Sequence, residues 1–134
     1  MDGLRERFGR RLRLGVIGGG PESWIGRAHR GAAEMDGWWQ VAGGVSASDP
    51  ARSRAAGATL GYPPDRSYGD VTEMLARERE RTDPIDAVAI MSPNDTHYRY
   101  AAAALDAGLD VICDKPVTHD FREACDLLAR TRRH

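Results

Sequence analysis
Apolar residues along the chain fall into two alternating textures. Short compact runs are separated by longer stretches in which apolar residues return every three or four positions, the alternation of buried strands with amphipathic helices. The run 12–18 (LRLGVIG) ends in glycines, as a buried strand entering a tight turn does. A helix follows from about Ile25 to Met35, with Ile25, Ala28, Ala32 and Met35 on one face. A second strand lies within 39–45, and Asp49-Pro50 supplies an N-cap and a favourable first helical residue for a helix ending near Gly57 or Gly61. After the loop 62–65 a short third strand is expected around Ser67-Tyr68. Asp70 and Glu73 have capping-box spacing and open a helix toward Arg79. The run 85–91 (IDAVAIM) reads as the next strand, and Asn94 as the cap of a helix over 95–107 with Gly108 at C′. A fifth strand over 109–113 and a closing helix opened by Asp120 complete the pattern.

Strands separated by helices bury their apolar faces as a parallel sheet covered on both sides, with right-handed crossovers. The predicted fold is therefore α/β, a doubly wound, Rossmann-like parallel sheet of five core strands. In such sheets ligands bind beyond the carboxyl ends of the strands. The loops 18–26, 45–49, 91–97 and 114–117 should then meet at one rim. The first residues, 1–11, alternate charge with little apolar content and read as a flexible charged arm, leaving 12–134 as a dinucleotide-binding domain.

Composition narrows the choice of partners. Nineteen basic groups against twenty acidic ones leave no broad cationic field, which disfavours nucleic acid or an anionic membrane as the main partner. No segment approaches the roughly 18 apolar residues of a membrane span. Cys113 and Cys125 form no metal-ligand pattern and lie among apolar neighbours, so both read as reduced core thiols. The expected setting is cytoplasmic, with no metal.

Three features carry candidate chemistry. In the first loop, Gly18, Gly20 and Gly26 let the backbone turn sharply and approach a pyrophosphate at a helix start, although a bare strand-to-helix turn needs glycines too. At the end of the second strand an Asp or Glu would accept bonds from the adenosine ribose of NAD; Ser46 stands there instead. Ser46 and Ser48, with Arg52 and Arg54 downstream, would accommodate a 2′-phosphate; equally, Asp49 is a helix cap and the arginines are solvated. The cofactor is thus NAD or NADP. Lastly, Lys115 is the one lysine among nineteen cationic side chains. It stands in the step Asp114-Lys115-Pro116, where proline restricts the backbone. A lysine in a partly desolvated pocket can donate to a hydroxyl or carbonyl oxygen and shift its pKa in ways arginine cannot.

Taken together, LGVIGGG with the following IGRAH, IDAVAIMSPNDTHY, AAAALDAG and LDVICDKPV resemble the amino-terminal domain of the Gfo/Idh/MocA oxidoreductases, the glucose-fructose oxidoreductase and inositol dehydrogenase family. The resemblance covers roughly 12–128, and the family's Glu-Lys-Pro motif is present as Asp114-Lys115-Pro116. It implies NAD(P)-dependent dehydrogenase chemistry on a sugar, polyol or related hydroxyl substrate. By resemblance, Gly18, Gly20, Ile25 and Gly26 line the pyrophosphate. Ser92, Pro93, Asn94 and His97 lie along the nicotinamide side, and Asp114 and Lys115 adjoin it, with Lys115 contacting substrate and nicotinamide ribose. His97 fits equally as a packed first-turn residue, and His29 as helix packing behind the glycine loop.

The family carries a second α/β domain that holds the substrate and a histidine acid/base. This chain is expected to lack it, to bind a dinucleotide weakly and to turn over little substrate alone. An apolar face left bare in this way would favour self-association, so a homo-oligomer is possible. Two other readings stay open: a non-catalytic nucleotide-binding module, such as a redox sensor or CoA-binding domain, and a purely structural domain.

Overall fold
Alternation along the strands decides which way the sheet faces. The computed structural model describes residues 7–133. Its strands are β1 (Leu12–Gly18), β2 (Trp39–Val45), β3 (Ala87–Met91) and β4 (Asp110–Cys113). All pair in parallel, in the order β2-β1-β3-β4. Helices α1 (Trp24–Met35), α2 (Pro50–Thr59), α3 (Val71–Arg79), α4 (His97–Asp106) and α5 (Phe121–Thr131) form the connections and the closing segment. Leu14 and Val16 of β1, with Ala87, Ala89 and Met91 of β3, pack on one face, against Ile25 and Ala33 of α1. Ile17, Val88 and Ile90, one residue out of step, pack on the other face with Met74, Ala104 and Leu127 of α3, α4 and α5. The small Ala87 and Ala89 allow α1 to lie close to the sheet.

Among the described residues four strands are present rather than five. Ser67 makes a single parallel bridge to Gly44 beyond β2, with the Tyr68 N–H donating to the Gly44 carbonyl at 3.0 Å. A 3-10 turn over Pro64–Arg66 immediately before it, and Gly69 just after, leave no length for a ladder. The predicted face of α1 is also rotated. Ala28 and Ala32 are exposed and Met35 is 86% exposed, whereas Gly26 is buried and His29, Arg30 and Ala33 are partly so. The cause is local: a Cβ at Gly26 would stand 2.4 Å from the Gly19 carbonyl oxygen, so the helix turns its glycine, not its apolar stripe, toward the loop.

Asn94 does not cap a helix over 95–107. It begins a 3-10 turn, Asn94–Thr96, and α4 starts at His97 with no side-chain cap. Gly108 does stand at C′, with φ +80°. Both cysteines are free, but Cys125 is exposed, since Ala124 and Leu127 take the inward stripe of α5; only Cys113 is partly buried, and burial pushes its thiol pKa up. Of the predicted arm, residues 1–6 lie outside the described residues, while Arg10 is held by Asp86 in a two-pronged pair at 2.7 and 2.8 Å. Among the described residues no helix is long and apolar enough to cross a membrane.

Candidate functional site
The carboxyl ends of β1, β2 and β3 enclose a cavity of about 320 Å³. Gly18 and Gly19 floor it, Ser46, Ala47 and Ser48 form one wall, and Ser92 and Pro93 form the other. A larger hollow of about 620 Å³ lies beside the free edge of β4, lined mainly by Ala101, Leu105, Val111 and Leu127. We place the site at the smaller cavity, because polar groups converge there and the sheet's parallel winding directs ligands to that end.

The glycine loop is held from both directions. Gly18 and Gly19 have φ of +89° and +62°, and the loop closes through the Ser23 N–H on the Gly20 carbonyl at 2.9 Å. Ser23 caps α1 by accepting from the Gly26 N–H at 3.0 Å. The first-turn N–H groups of Trp24 and Ile25 have no intrahelical acceptor by geometry, which leaves them for an anion. Arg30 donates to the Gly19 carbonyl from one turn along.

At the end of β2, Ser46 is 7% exposed and its Oγ has no hydrogen-bond partner among the described residues. A buried hydroxyl without a partner is unusual and favours an incoming polar group. Its backbone N–H donates to Ser53 Oγ at 2.9 Å, and Ser53 in turn donates to the Tyr68 carbonyl at 2.6 Å, so the backbone position of Ser46 is firm. Ser48 is exposed at the cavity wall. Arg54 is already committed to Glu73, at 2.9 Å, and to the Ser67 carbonyl, while Arg52 is exposed.

In the third loop Thr96 Oγ1 donates to the Pro93 carbonyl at 2.6 Å, so the Ser92 hydroxyl, also 2.6 Å from Thr96 Oγ1, is the donor of that pair. His97 is 1% exposed, with Nδ1 2.7 Å from the Pro116 carbonyl oxygen and Nε2 2.9 Å from that of Ser92. It is a packed first-turn residue that ties two loops together. Pro93 and Asn94 are exposed beside it.

The fourth loop places Lys115 at the same rim. Its side chain is exposed and makes no hydrogen bond or ion pair among the described residues, and the Lys115–Pro116 peptide is cis. Asp114, in contrast, is engaged: Oδ1 lies 2.8 Å from His29 Nε2. His29 is therefore more than packing behind the glycine loop. Sequence reasoning missed that tie, and it missed Arg99 and Tyr100, which line the cavity from α4. The spacing of His29, three residues after Gly26, was the available signal; nothing in the sequence brings Arg99 and Tyr100 of α4 to the cavity that the end of β2 also lines.

A glycine turn and an unsatisfied serine hydroxyl at the end of β2 line one cavity, and a helix start follows the turn, the layout of a dinucleotide-binding domain of the doubly wound class. Residues 12–134 match the profile of the oxidoreductase family with the NAD-binding Rossmann fold, and the chain belongs to that Gfo/Idh/MocA family. It is 38% identical over 119 residues to an uncharacterized oxidoreductase of Bacillus subtilis, covering 88% of this chain and 30% of that one. Against the inositol 2-dehydrogenase of Corynebacterium glutamicum it is 31% identical over 112 residues, 81% of this chain and 29% of the other. A crystal structure of an inositol dehydrogenase homolog from Azotobacter vinelandii, complexed with NADH and myo-inositol, superimposes with a TM-score of 0.89 at 38% identity, covering 92% of this chain and 33% of that one. The chain spans about a third of the length of these relatives.

Proposed function
We propose that this domain holds NAD(H) for hydride exchange with a hydroxyl-bearing small molecule, a sugar, polyol or related compound. The observation that carries the reading is the cavity at the strand ends, with the Ser46 hydroxyl on its wall and without a partner among the described residues; Lys115, outside that lining, follows the carboxyl end of β4. The residues present fit the cofactor. Gly18, Gly20, Ile25 and Gly26 receive the pyrophosphate; Ser46 and Ser48 receive the adenosine ribose; Ser92, Pro93 and Asn94 adjoin the nicotinamide. NAD supplies the hydride acceptor when bound. Lys115 donates hydrogen bonds to the substrate oxygen and the nicotinamide ribose, orienting both for transfer. His97 acts from behind by fixing the loop 92–94, and Asp114 by fixing the turn on which Lys115 stands. The engagement of Arg54 by Glu73 removes one of two arginines suited to a 2′-phosphate, which favours NAD over NADP.

The remaining length of the relatives is where substrate closure and acid/base chemistry belong, so residues 12–134 bind cofactor but turn over little substrate by themselves. Two free cysteines fit a reducing, cytoplasmic setting. Thermal-shift measurements with NAD, NADP and CoA test the reading, because a ligand selective for the folded state raises its apparent stability. NAD is expected to raise the melting temperature most; stabilisation by CoA alone, or by none of the three, overturns the proposal.

A further inference from the structure
The two residues that flank Lys115 are each tied to a histidine from a different helix. On the amino side, Asp114 Oδ1 lies 2.8 Å from His29 Nε2 of α1, and the Asp114 N–H donates to the Ile90 carbonyl at 3.0 Å. On the carboxyl side, the Pro116 carbonyl oxygen lies 2.7 Å from His97 Nδ1 of α4. Lys115 itself has no partner among the described residues. A long flexible side chain bearing a cation thus stands on a backbone gripped on both sides.

We infer that His29 is a positioning residue for Lys115, acting through the Asp114 carboxylate; this rests on the role given to Lys115 above. Three observations support it. The His29 and Asp114 side chains are only 24% and 29% exposed, so the 2.8 Å bond between them is largely shielded from water and holds the carboxylate in place. Next, the neighbouring residue Arg30 donates to the Gly19 carbonyl, so adjacent positions of one helix hold the glycine turn and the base of the lysine. Lastly, Asp114 is the carboxylate adjacent to Lys115 in the chain. Engaged on the α1 side, it is withheld from the ammonium, which keeps that donor available for a ligand oxygen.

The lone lysine makes a direct test possible. In the cofactor-free full chain, the rate at which trinitrobenzenesulfonate modifies Lys115 is followed by peptide mass spectrometry, which separates it from the α-amino group. His29→Leu releases the carboxylate to pair with the ammonium and is expected to slow modification about fivefold, the scale of one net hydrogen bond. His29→Gln, whose amide N–H can donate to the same carboxylate, should stay within about twofold of the unaltered chain. Combining His29→Leu with Asp114→Asn, which leaves no carboxylate to release, should restore the rate. A His29→Leu chain that keeps its urea midpoint and reacts at the original rate overturns the inference, as does a Gln variant as slow as the Leu variant. If His29→Leu does not fold, His29→Ala is read in the same way. Protection of Lys115 by saturating NADH, in the unaltered chain, reports on the parent reading separately: absence of protection despite NADH binding overturns the role of Lys115 at the nicotinamide, while the cofactor-free rates still decide the role of His29.

Discussion
Two polar clusters at different ends of β3 show opposite strategies. Near its amino end, Arg66, Tyr68 and Glu78 are almost wholly buried and paired with one another. Glu78 accepts from Tyr68 OH at 2.6 Å and from the Ile85 N–H at 3.0 Å, and lies 3.2 Å from Arg66 Nε; Arg66 also donates to the Asp83 carbonyl. At the carboxyl rim, by contrast, Ser46 Oγ is buried and Lys115 exposed, each without a partner among the described residues. The first cluster uses most of its polar groups up within the fold, although Arg66 Nε, within ion-pair distance of Glu78, makes no hydrogen bond among the described residues. The second leaves them unspent, and a ligand can bind only where donors and acceptors have not already been satisfied.

The comparison breaks most visibly at Glu78. Glu78→Ala takes the buried counter-charge from the Arg66 guanidinium, leaving it the partly exposed Asp83 carboxylate at 3.2 Å, and should lower stability by about 3 kcal/mol, read from urea unfolding. A loss below about 1 kcal/mol would mean that water reaches the cluster and that the contrast is overstated.

Alkaline pH probes the same cluster. Burial first, then the hydrogen bond to Glu78, pushes the Tyr68 phenol well above its ordinary value near 10. Because the folded value is the higher one, this contribution is complete below pH 10, where both states hold the proton. It declines as pH rises past 10, since the unfolded chain ionises first, at up to about 1.4 kcal/mol per pH unit. Tyr68→Phe should flatten the decline between pH 10 and 11; an unchanged slope assigns it to other groups.

At the rim the expected signs separate. Ser46→Ala removes an unsatisfied buried hydroxyl, so stability should hold or rise slightly, while NADH affinity, measured by titration of its fluorescence, should fall about fivefold with the loss of one hydrogen bond. A drop in stability with affinity intact would move Ser46 into the structural class. Smallest of all, Lys115→Ala should leave the unfolding free energy within about 0.5 kcal/mol, as expected for a cation that touches nothing in the fold. A larger loss would show that Lys115 has a structural partner after all.

Much of this was legible along the chain, and particular residues show where legibility stopped. The β1 and β3 runs, the caps Asp49, Asp70 and Asp120, and Gly108 at C′ are local features whose physics lies within a few residues. Their side chains do accept from Arg52, Glu73 and Arg122 backbone N–H groups as capping requires. The face of α1 was misread because apolar spacing pointed to Ala28, Ala32 and Met35, while the contact between Gly19 and Gly26 overruled it. The strand expected at Ser67-Tyr68 shrank to one bridge because the preceding turn consumed its length.

What the amino-acid order settled alone was the alternation of strand and helix, the glycine turn and the single lysine at a strand end. These depend on neighbours close in the chain. What only the folded chain decided was who meets whom across it: His29 with Asp114, His97 with Pro116 and Ser92, and Arg99 on the same cavity as Ser46. Such pairings follow from the rotation of helices and the order of strands, which are set by packing between segments many residues apart, and no local pattern encodes them.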